Sequence, residues 1–169
     1  MRNIVLVGFM GTGKTVTGRA LAAKLGRKFL ELDEIIENKE GISVKEIFER
    51  KGELYFRKIE REVVKESAER DGVVISAGGG VIIDEKNLEN LKKNALIVCL
   101  EASPDVILDR TKGLGNRPLL NVHDPGKRIK ELLEKRAHYY KKADFSVHTD
   151  GLSAEEVADK IIRWMTERD

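Results

Sequence analysis

The glycine-rich segment near the start of the chain reads Gly8-Phe9-Met10-Gly11-Thr12-Gly13-Lys14-Thr15 and directly follows the apolar run Ile4-Val5-Leu6-Val7. It matches the pattern GxxxxGK(S/T), whose glycines let successive backbone N–H groups point inward at phosphate oxygens. Lys14 is then expected to reach the β and γ phosphates, and the Thr15 hydroxyl to ligate Mg²⁺. The alternative is a glycine-rich turn without a ligand. It is disfavoured because the motif needs a strand before it and a helix after it, and the sequence predicts both.

Length and composition indicate one domain with nearly balanced charge. The 169 residues are enough for one buried core, so we expect a single domain over residues 1–169. The 31 basic and 29 acidic residues leave a formal net charge of +2, which indicates neither a nucleic-acid nor a membrane partner. The N-terminal apolar run is too short to span a membrane. A cytoplasmic enzyme is the default expectation, and we expect it to be a monomer.

The sequence indicates no disulfide and no structural metal. Cys99 is the only cysteine and lies in an apolar run, where a buried thiol acts as a small hydrophobe. His123, His138 and His148 have no partner at metal-ligand spacing, so they are interpreted as surface or packing residues.

Apolar runs alternate with amphipathic stretches along the chain. This alternation predicts an α/β fold, with a mostly parallel sheet covered by helices on both faces. A helix over about residues 13–25, ended by Gly26, is expected after the first strand. The predicted strands are Asn3–Val7, Lys28–Leu32, Val73–Ser76, Ala95–Leu100 and Phe145–His148. Helix starts with a capping residue are predicted at Ser43, Ser103, Asp124 and Ser153.

The segment from Arg110 to Leu120 lies between two predicted helices and carries two glycines and three basic residues. Glycine hinges beside arginines suit a lid that closes over phosphates. A solvated surface loop would also explain the charges. The phosphate-binding motif upstream favours the lid.

Acidic residues occupy an unusual place for a phosphate-loop protein. Many such proteins have an aspartate at the end of a central strand to hold the Mg²⁺ shell. Here the run Val73-Val74-Ile75 is followed by Ser76-Ala77 instead. The acids come at the end of the second strand, as Glu31 and Asp33, and strand alternation would put both on one side.

Three consecutive glycines, Gly78-Gly79-Gly80, come shortly after the third strand. They cost backbone entropy and leave no side chain to pack, so a close approach of the backbone to a ligand explains them better than a flexible turn, the alternative. Ligands of open α/β sheets bind at the carboxyl ends of the strands. Asp33, the glycine triplet and residues 8–15 are therefore expected to meet in one crevice.

Arg57 and Arg61 lie on a predicted amphipathic helix, and Arg136 lies on a later one. Arg57 and Arg61 could be solvated and paired with acids three or four residues away, and spacing alone favours that interpretation. The spacing around Arg136 leaves the same question open. The residues of the earlier helix that are expected to face the core are Leu54, Ile59, Val63 and Val64.

These motifs form an ordered set: Gly8 to Thr15, Asp33 with Ile36-Glu37, Phe56-Arg57-Lys58-Ile59-Glu60, Ser76-Ala77-Gly78-Gly79-Gly80, Arg117-Pro118-Leu119-Leu120, and Lys135-Arg136-Ala137 before Tyr139. The set resembles the shikimate kinases, small P-loop kinases of aromatic amino-acid biosynthesis, over nearly the whole chain. The resemblance implies a three-layer P-loop kinase fold with a five-stranded parallel sheet flanked by helices. It also implies a lid over about residues 110–124 and a substrate-binding helical region over about residues 34–62.

The resemblance implies transfer of the γ-phosphoryl group of ATP to the 3-hydroxyl of shikimate, with Mg²⁺ as cofactor. The implied catalytic residues are Lys14, Asp33 and Arg117. The implied ATP-binding residues are Gly11, Thr12, Gly13, Lys14, Thr15, Val16, Arg110, Arg117, Thr149 and Asp150. The implied shikimate-binding residues are Asp33, Arg57, Gly78, Gly79, Gly80 and Arg136. Thr15 would ligate Mg²⁺ directly, with Glu31, Asp33 and Ser76 in the outer shell.

Two guanidinium groups can grip one carboxylate through directional, charge-assisted bonds, which favours an acidic acceptor over a neutral sugar. The chain departs from the family where the first of two acids after the second strand is Glu31 rather than aspartate. The lid and the adenine loop match the family only in outline.

Other functions remain as alternatives. A gluconate or nucleoside monophosphate kinase would lack the pairing of Asp33 with Arg57 and Arg136. A GTPase switch should carry an NKxD motif, and the nearest segment, Asn38-Lys39-Glu40-Gly41, fails at its last position. An inactive homologue that only binds ATP is disfavoured because the implied catalytic and binding residues are all present.

Overall fold

Five parallel strands form the sheet that carries the candidate site. The computed structural model describes residues 1–113 and 118–168. The strands are β1 (Asn3–Val7), β2 (Phe29–Glu31), β3 (Val74–Ser76), β4 (Ala95–Glu101) and β5 (Phe145–His148). The helices are α1 (Lys14–Leu25), α2 (Leu32–Glu40), α3 (Val44–Lys51), α4 (Glu53–Ala68), α5 (Glu85–Lys92), α6 (Pro104–Thr111), α7 (Pro125–Tyr140) and α8 (Ala154–Thr166). Short 3₁₀ turns cover Val81–Ile83 and Pro118–Leu120.

The strand order is β2-β3-β1-β4-β5, with β1 in the centre, and all neighbouring pairs are parallel. All five predicted strands are confirmed, although β2 is shorter than predicted. Because the strands are parallel, their carboxyl ends meet at one edge of the sheet. The glycine-rich segment after β1, the start of α2 after β2 and the glycine triplet after β3 all begin at that edge.

Helices cover both faces of the sheet, which confirms the predicted three-layer arrangement. On one face, Leu21 of α1 and Ile161 of α8 pack with strand residues such as Leu6 in one buried cluster. On the other face, helices α2 to α7 contribute to a larger cluster that includes Ile75 and Ile97. Strands buried on both faces explain why the predicted strands read as nearly continuous apolar runs.

Local capping interactions end or begin the helices where the sequence predicts. Ser43 and Ser153 form reciprocal capping boxes with Glu46 and Glu156. Ser103 and Asp124 cap helices whose first turn carries a proline. Gly26 ends α1 in the left-handed conformation, with φ of 63°. This conformation is costly for residues with a β-carbon.

Three predictions about side-chain environment are wrong. Leu54 is 90% exposed, because it lies on the face of α4 opposite Phe56 and Val63. Arg61 is exposed, as expected, but it pairs with Asp84 outside its own helix and not with an acid three or four residues away. Asp33 belongs to the first turn of α2, so strand alternation does not determine its direction.

The predictions for cysteine and histidine are confirmed. The Cys99 side chain is buried, and burial is the main reason that its pKa rises to about 12. His123, His138 and His148 are exposed. Among the described helices, none is long and apolar enough to cross a membrane.

Candidate active site

One cavity of about 740 Å³ lies at the edge of the sheet where β1, β2 and β3 end. Most residues that the sequence predicts for the site line this cavity. They are Gly11, Thr12, Gly13, Lys14, Thr15, Val16, Glu31, Asp33, Arg57, Ser76, Gly78, Gly79, Gly80, Arg110, Arg136 and Thr149. Asp150 is not among the lining residues. Arg117 lies outside the described residues.

The glycine-rich segment is shaped by backbone that only glycine adopts readily. Gly8 has φ of 136°, and a β-carbon there would lie 2.3 Å from the carbonyl oxygen of Leu100. Lys14, the first residue of α1, donates from Nζ to the carbonyl oxygens of Gly8 and Phe9, at 2.9 Å each. These bonds hold the ammonium group over the loop at the amino end of α1, where a phosphate would be bound.

Glu31 and Thr15 are polar residues that line the cavity and are joined by a hydrogen bond. The Thr15 hydroxyl donates to Glu31 Oε2 at 2.6 Å. Burial raises the pKa of Glu31 most strongly, and the nearby charge of Asp33 raises it further, while Thr15, Ser76 and Lys14 oppose the rise. Ser76 lies beside Glu31 in the β2–β3 register. Its buried hydroxyl lacks a hydrogen bond of normal geometry within the described residues, although it lies close enough to affect the Glu31 pKa.

Asp33 reaches the cavity from the first turn of α2 and faces the glycine triplet. A β-carbon at Gly78 would lie 3.4 Å from Asp33 Oδ1 and 3.3 Å from Glu60 Oε2. The absence of a side chain at position 78 thus lets the backbone lie close to two carboxylates. Both carboxylates also line the cavity, where a small ligand with hydroxyl groups could donate hydrogen bonds to them.

The backbone of the glycine triplet lies against two arginines. A β-carbon at Gly80 would lie 2.7 and 2.8 Å from the two terminal nitrogens of Arg57, closer than packing allows. At Gly79, a β-carbon would lie 3.4 Å from Arg136 Nη1. The sequence predicts that a ligand approaches these glycines, and the structure adds that two guanidinium groups already do.

Arg57 pairs with acids three and four residues away, as its spacing predicts, and it also lines the cavity. Arg57 Nη1 donates to Glu60 Oε1 at 2.8 Å, and Nη2 lies 3.4 Å from Glu53 Oε1. Burial alone would lower the Arg57 pKa, but the two carboxylates outweigh it and leave the pKa raised. Arg57 is therefore a firmly charged group that is paired within its helix and also lines the cavity.

Arg136 is the more buried of the two arginines, with an exposed fraction of 7%. Its guanidinium carbon lies 5.5 Å from the centre of the Phe9 ring. Within the described residues, Arg136 Nη1 has no hydrogen-bond partner. A buried donor without a partner costs about 1–3 kcal/mol, so an anion that accepts from it would recover that cost.

Arg110 and Thr149 join the phosphate loop to the end of β5. Arg110 Nη1 donates to the carbonyl oxygen of Gly11 at 3.1 Å and to the Thr149 hydroxyl at 3.3 Å. Asp150 instead accepts a hydrogen bond from the Ser103 backbone N–H at 3.0 Å, which is the main reason that its pKa is lowered. Arg110 and Thr149 therefore border the open side of the phosphate loop, and Asp150 supports the start of α6.

Comparison with known proteins identifies the family. A family model for shikimate kinase matches residues 10–166. A shikimate kinase from Thermodesulfovibrio yellowstonii is 52% identical over 163 residues, which cover 96% of this chain and 94% of that protein. The chain belongs to the shikimate kinase family. A solved structure of the shikimate kinase from Acinetobacter baumannii in complex with shikimate matches with a TM-score of 0.97 at 39% identity, over 100% of this chain and 95% of that chain.

Membership of the shikimate kinase family confirms the resemblance seen in the sequence and makes the chain a phosphotransferase with a P-loop kinase fold. It disfavours the gluconate kinase, nucleoside monophosphate kinase and GTPase alternatives. A second structural relative, the shikimate kinase from Aquifex aeolicus, has a TM-score of 0.87 at 38% identity and covers 98% of this chain and 97% of that chain.

The oxygen donors of the cavity fit a Mg²⁺ ion that arrives with a nucleotide. Mg²⁺ keeps several waters and takes few protein ligands beside phosphates. The Thr15 hydroxyl donates its hydrogen bond to Glu31, so the lone pairs of the hydroxyl oxygen remain available to a cation. Within the described residues, no cluster of three or more histidine, cysteine or acidic side chains could hold a metal by itself. The oxygen donors of this protein therefore suit a Mg²⁺ ion that is ligated jointly by the protein and the nucleotide phosphates.

Sequence reasoning missed Glu60 as a site residue, although it lines the cavity and is only 2% exposed. Burial raises the pKa of Glu60, Arg57 opposes the rise, and Asp33 and Asp84 add to it. The signal was present in the sequence. Position 60 lies on the same stripe of α4 as the buried residues Phe56, Val63, Val64 and Ser67.

Proposed function

We propose that this protein transfers the γ-phosphoryl group of MgATP to the 3-hydroxyl of shikimate, giving ADP and shikimate 3-phosphate. The observation that carries the proposal is the pair of arginines against the glycine triplet. Arg57 comes from α4 and Arg136 from α7, and both lie within 3.4 Å of the β-carbon positions of Gly80 and Gly79. This pair supports a receptor for one carboxylate on the acceptor, in the cavity that also holds the phosphate loop.

The phosphate loop forms the donor half of the proposed site. Backbone N–H groups of Gly11 to Thr15 would bind the phosphates of ATP, and Lys14 would contact the transferring group. Arg110 and Thr149 would lie beside the adenine ring of ATP, because they border the open side of the phosphate loop. Mg²⁺, held by Thr15 with Glu31, Asp33 and Ser76 nearby, would neutralise charge on the phosphates.

Asp33 is the proposed base in the acceptor half. Its carboxylate lies beside Gly78 and lines the cavity, where the ring hydroxyls of shikimate would lie once Arg57 and Arg136 hold the shikimate carboxylate. Proton transfer to such a carboxylate contributes about 10²- to 10⁴-fold to the rate, and orientation of the hydroxyl alone contributes less. Asp33→Asn separates the two roles. A kcat loss within that range supports the base, whereas a near-normal kcat would leave only orientation.

Arg117 is the proposed lid residue that stabilises charge on the transferring group, a role worth about 10³- to 10⁵-fold in related reactions. The lid would span about residues 110–124, and the substrate-binding helical region about residues 34–62. Closure would exclude water and prevent wasteful hydrolysis of ATP. Arg117→Ala with unchanged kcat would remove this assignment.

The function is tested by ADP release with a panel of acceptors: shikimate, gluconate, nucleoside monophosphates and shikimate methyl ester. At low acceptor concentration, we expect turnover with shikimate and with no other acceptor of the panel. The methyl ester keeps every ring hydroxyl but has no carboxylate, so its KM should rise by about 10²-fold or more through loss of charge-assisted bonds. Equal turnover of the ester and shikimate would contradict the carboxylate receptor, and turnover of gluconate alone would contradict the assigned acceptor.

A monomeric state and a cytoplasmic location, without nucleic-acid or membrane partners, also remain proposals. Nearly balanced charge supports the absence of nucleic-acid partners, and none of the described helices could span a membrane. Size-exclusion chromatography with light scattering at micromolar concentration should give a mass near 19.0 kDa. A dimer mass under these conditions would contradict the first of these proposals.

A further inference from the structure

Tyr140 connects the two parts of the acceptor half. It is the last residue of α7, one helical turn after Arg136, and only 7% of it is exposed. Its hydroxyl donates to the carbonyl oxygen of Gly79 at 2.9 Å. The residues joined by this bond are 61 positions apart in the chain, so the contact exists only in the folded protein.

The position of Gly79 makes this bond important for geometry. A β-carbon at Gly79 would lie 3.5 Å from the carbonyl oxygen of Gly8, 3.5 Å from the Met10 backbone nitrogen and 3.4 Å from Arg136 Nη1. Gly79 thus lies between the phosphate loop and one of the carboxylate-binding arginines. A hydrogen bond that holds the Gly79 carbonyl group therefore restrains the position of Arg136 relative to the phosphate loop.

Tyr140 also acts on Arg136 directly. Burial raises the pKa of the Tyr140 hydroxyl, and the positive charge of the nearby Arg136 opposes that rise. The hydroxyl remains a protonated donor at neutral pH. One side chain therefore contacts both the glycine backbone and the arginine whose Nη1 has no partner within the described residues.

We propose that Tyr140 is a positioning residue for acceptor binding, which sets the Gly79 backbone and the Arg136 guanidinium in register with each other. This inference rests on the proposed function, because it concerns the same acceptor. Tyr140 does not touch the reacting atoms in this account. Its hydroxyl pre-orders two groups that would otherwise have to be ordered when the acceptor binds.

The test is Tyr140→Phe, which removes one hydroxyl group and keeps the ring. Tyr139→Phe is the matched control, because the neighbouring tyrosine contacts His138 and Lys142 with its ring, whereas the hydrogen bond to Gly79 comes from Tyr140. In Tyr140→Phe the Gly79 carbonyl loses its donor, and the KM for shikimate should rise about 5- to 30-fold if that cost falls on binding. The KM for ATP should change by less than about twofold.

Ligand-induced shifts in unfolding temperature give a second, equilibrium readout. For Tyr140→Phe, the shift caused by shikimate should shrink while the shift caused by ADP stays at the wild-type value. Should the phenylalanine variant not fold, Tyr140→Met also removes the hydroxyl and retains an apolar side chain, so the same comparison applies.

The outcomes separate the two proposals. If the wild-type protein does not phosphorylate shikimate, the proposed function fails. If the wild type is active and Tyr140→Phe lowers the unfolding temperature without changing the KM for shikimate, Tyr140 only supports the fold and the inference is overturned. Equal rises in KM for shikimate and ATP would overturn it as well.

Discussion

Replacement of Arg136 should weaken function and strengthen the fold at the same time. Arg136→Met keeps an unbranched side chain in a position that is 7% exposed. The variant removes a buried donor without a partner, which costs the wild type about 1–3 kcal/mol. It also loses the contact with the Phe9 ring at 5.5 Å, worth about 0.5–2 kcal/mol. At the midpoints of these ranges the gain exceeds the loss by about 0.75 kcal/mol, or roughly 1.5–3 °C in Tm for a protein of this size.

The functional effect of Arg136→Met has the opposite sign. A charge-assisted hydrogen bond to a carboxylate is worth about 1.5–3 kcal/mol, so the KM for shikimate should rise about 10- to 150-fold. The KM for ATP should stay near the wild-type value, because Arg136 lies beside Gly79 and is not among the groups proposed to bind ATP. Steady-state ADP release and thermal unfolding of the same preparations measure both effects.

Arg128→Met is the control, since Arg128 lies on the same helix but is 32% exposed and 3.7 Å from Glu131. This surface pair contributes little, so neither KM nor Tm should change appreciably. The reasoning would be refuted if Arg136→Met left the KM for shikimate within about twofold of wild type. A Tm several degrees below wild type would refute the claim that the buried Arg136 Nη1 group is held at a cost.

Three further predictions follow from the same contacts. Lys14→Met should abolish turnover and leave the circular dichroism spectrum unchanged; substantial residual turnover would remove the phosphate-loop assignment. Gly80→Ala should raise the KM for shikimate, because its β-carbon would lie 2.7 Å from Arg57 Nη1, whereas Gly126→Ala meets only a 3.6 Å contact and should match wild type. Burial raises the Glu60 pKa above 4.5, so the folded state holds the proton more tightly than the unfolded state. The free energy of unfolding of the wild type should therefore fall relative to that of Glu60→Gln as the pH rises from about 4 to 7. Urea unfolding that gives a constant difference between the two proteins over this range would contradict the prediction.

The sequence predicts the donor half well because its signals are local. The phosphate loop, the strand before it and the helix after it lie within one continuous segment, and glycine conformation there depends on nearby backbone. The five strands are equally legible, because buried parallel strands need long apolar runs. Each of these features is confirmed by the structure.

The acceptor half depends on contacts between distant segments, which spacing does not reveal. Arg57 on α4 and Arg136 on α7 line one cavity, and each lies beside the glycine triplet, but the spacing of residues within either helix does not reveal this. Their assignment therefore needed the family resemblance. Asp33 lies in the predicted crevice, but the strand-alternation argument for it is wrong because β2 ends at Glu31.

Two errors have simple causes in helix geometry. Leu54 is apolar yet exposed, since it lies half a turn from the buried stripe of α4. Glu60 is charged yet buried in that stripe, where Arg57 pairs with it. In both cases the period of the helix is the better guide, and residue type alone misleads.

The product of the reaction tests the central claim most directly. The protein is incubated with ATP, Mg²⁺ and shikimate, and the phosphorylated product is examined by phosphorus NMR with coupling to the ring protons. We expect one new phosphomonoester coupled to the proton at carbon 3, formed in equal amount to ADP and absent with Lys14→Met. Release of ADP with inorganic phosphate, or a phosphate on another hydroxyl, would contradict the proposed transfer.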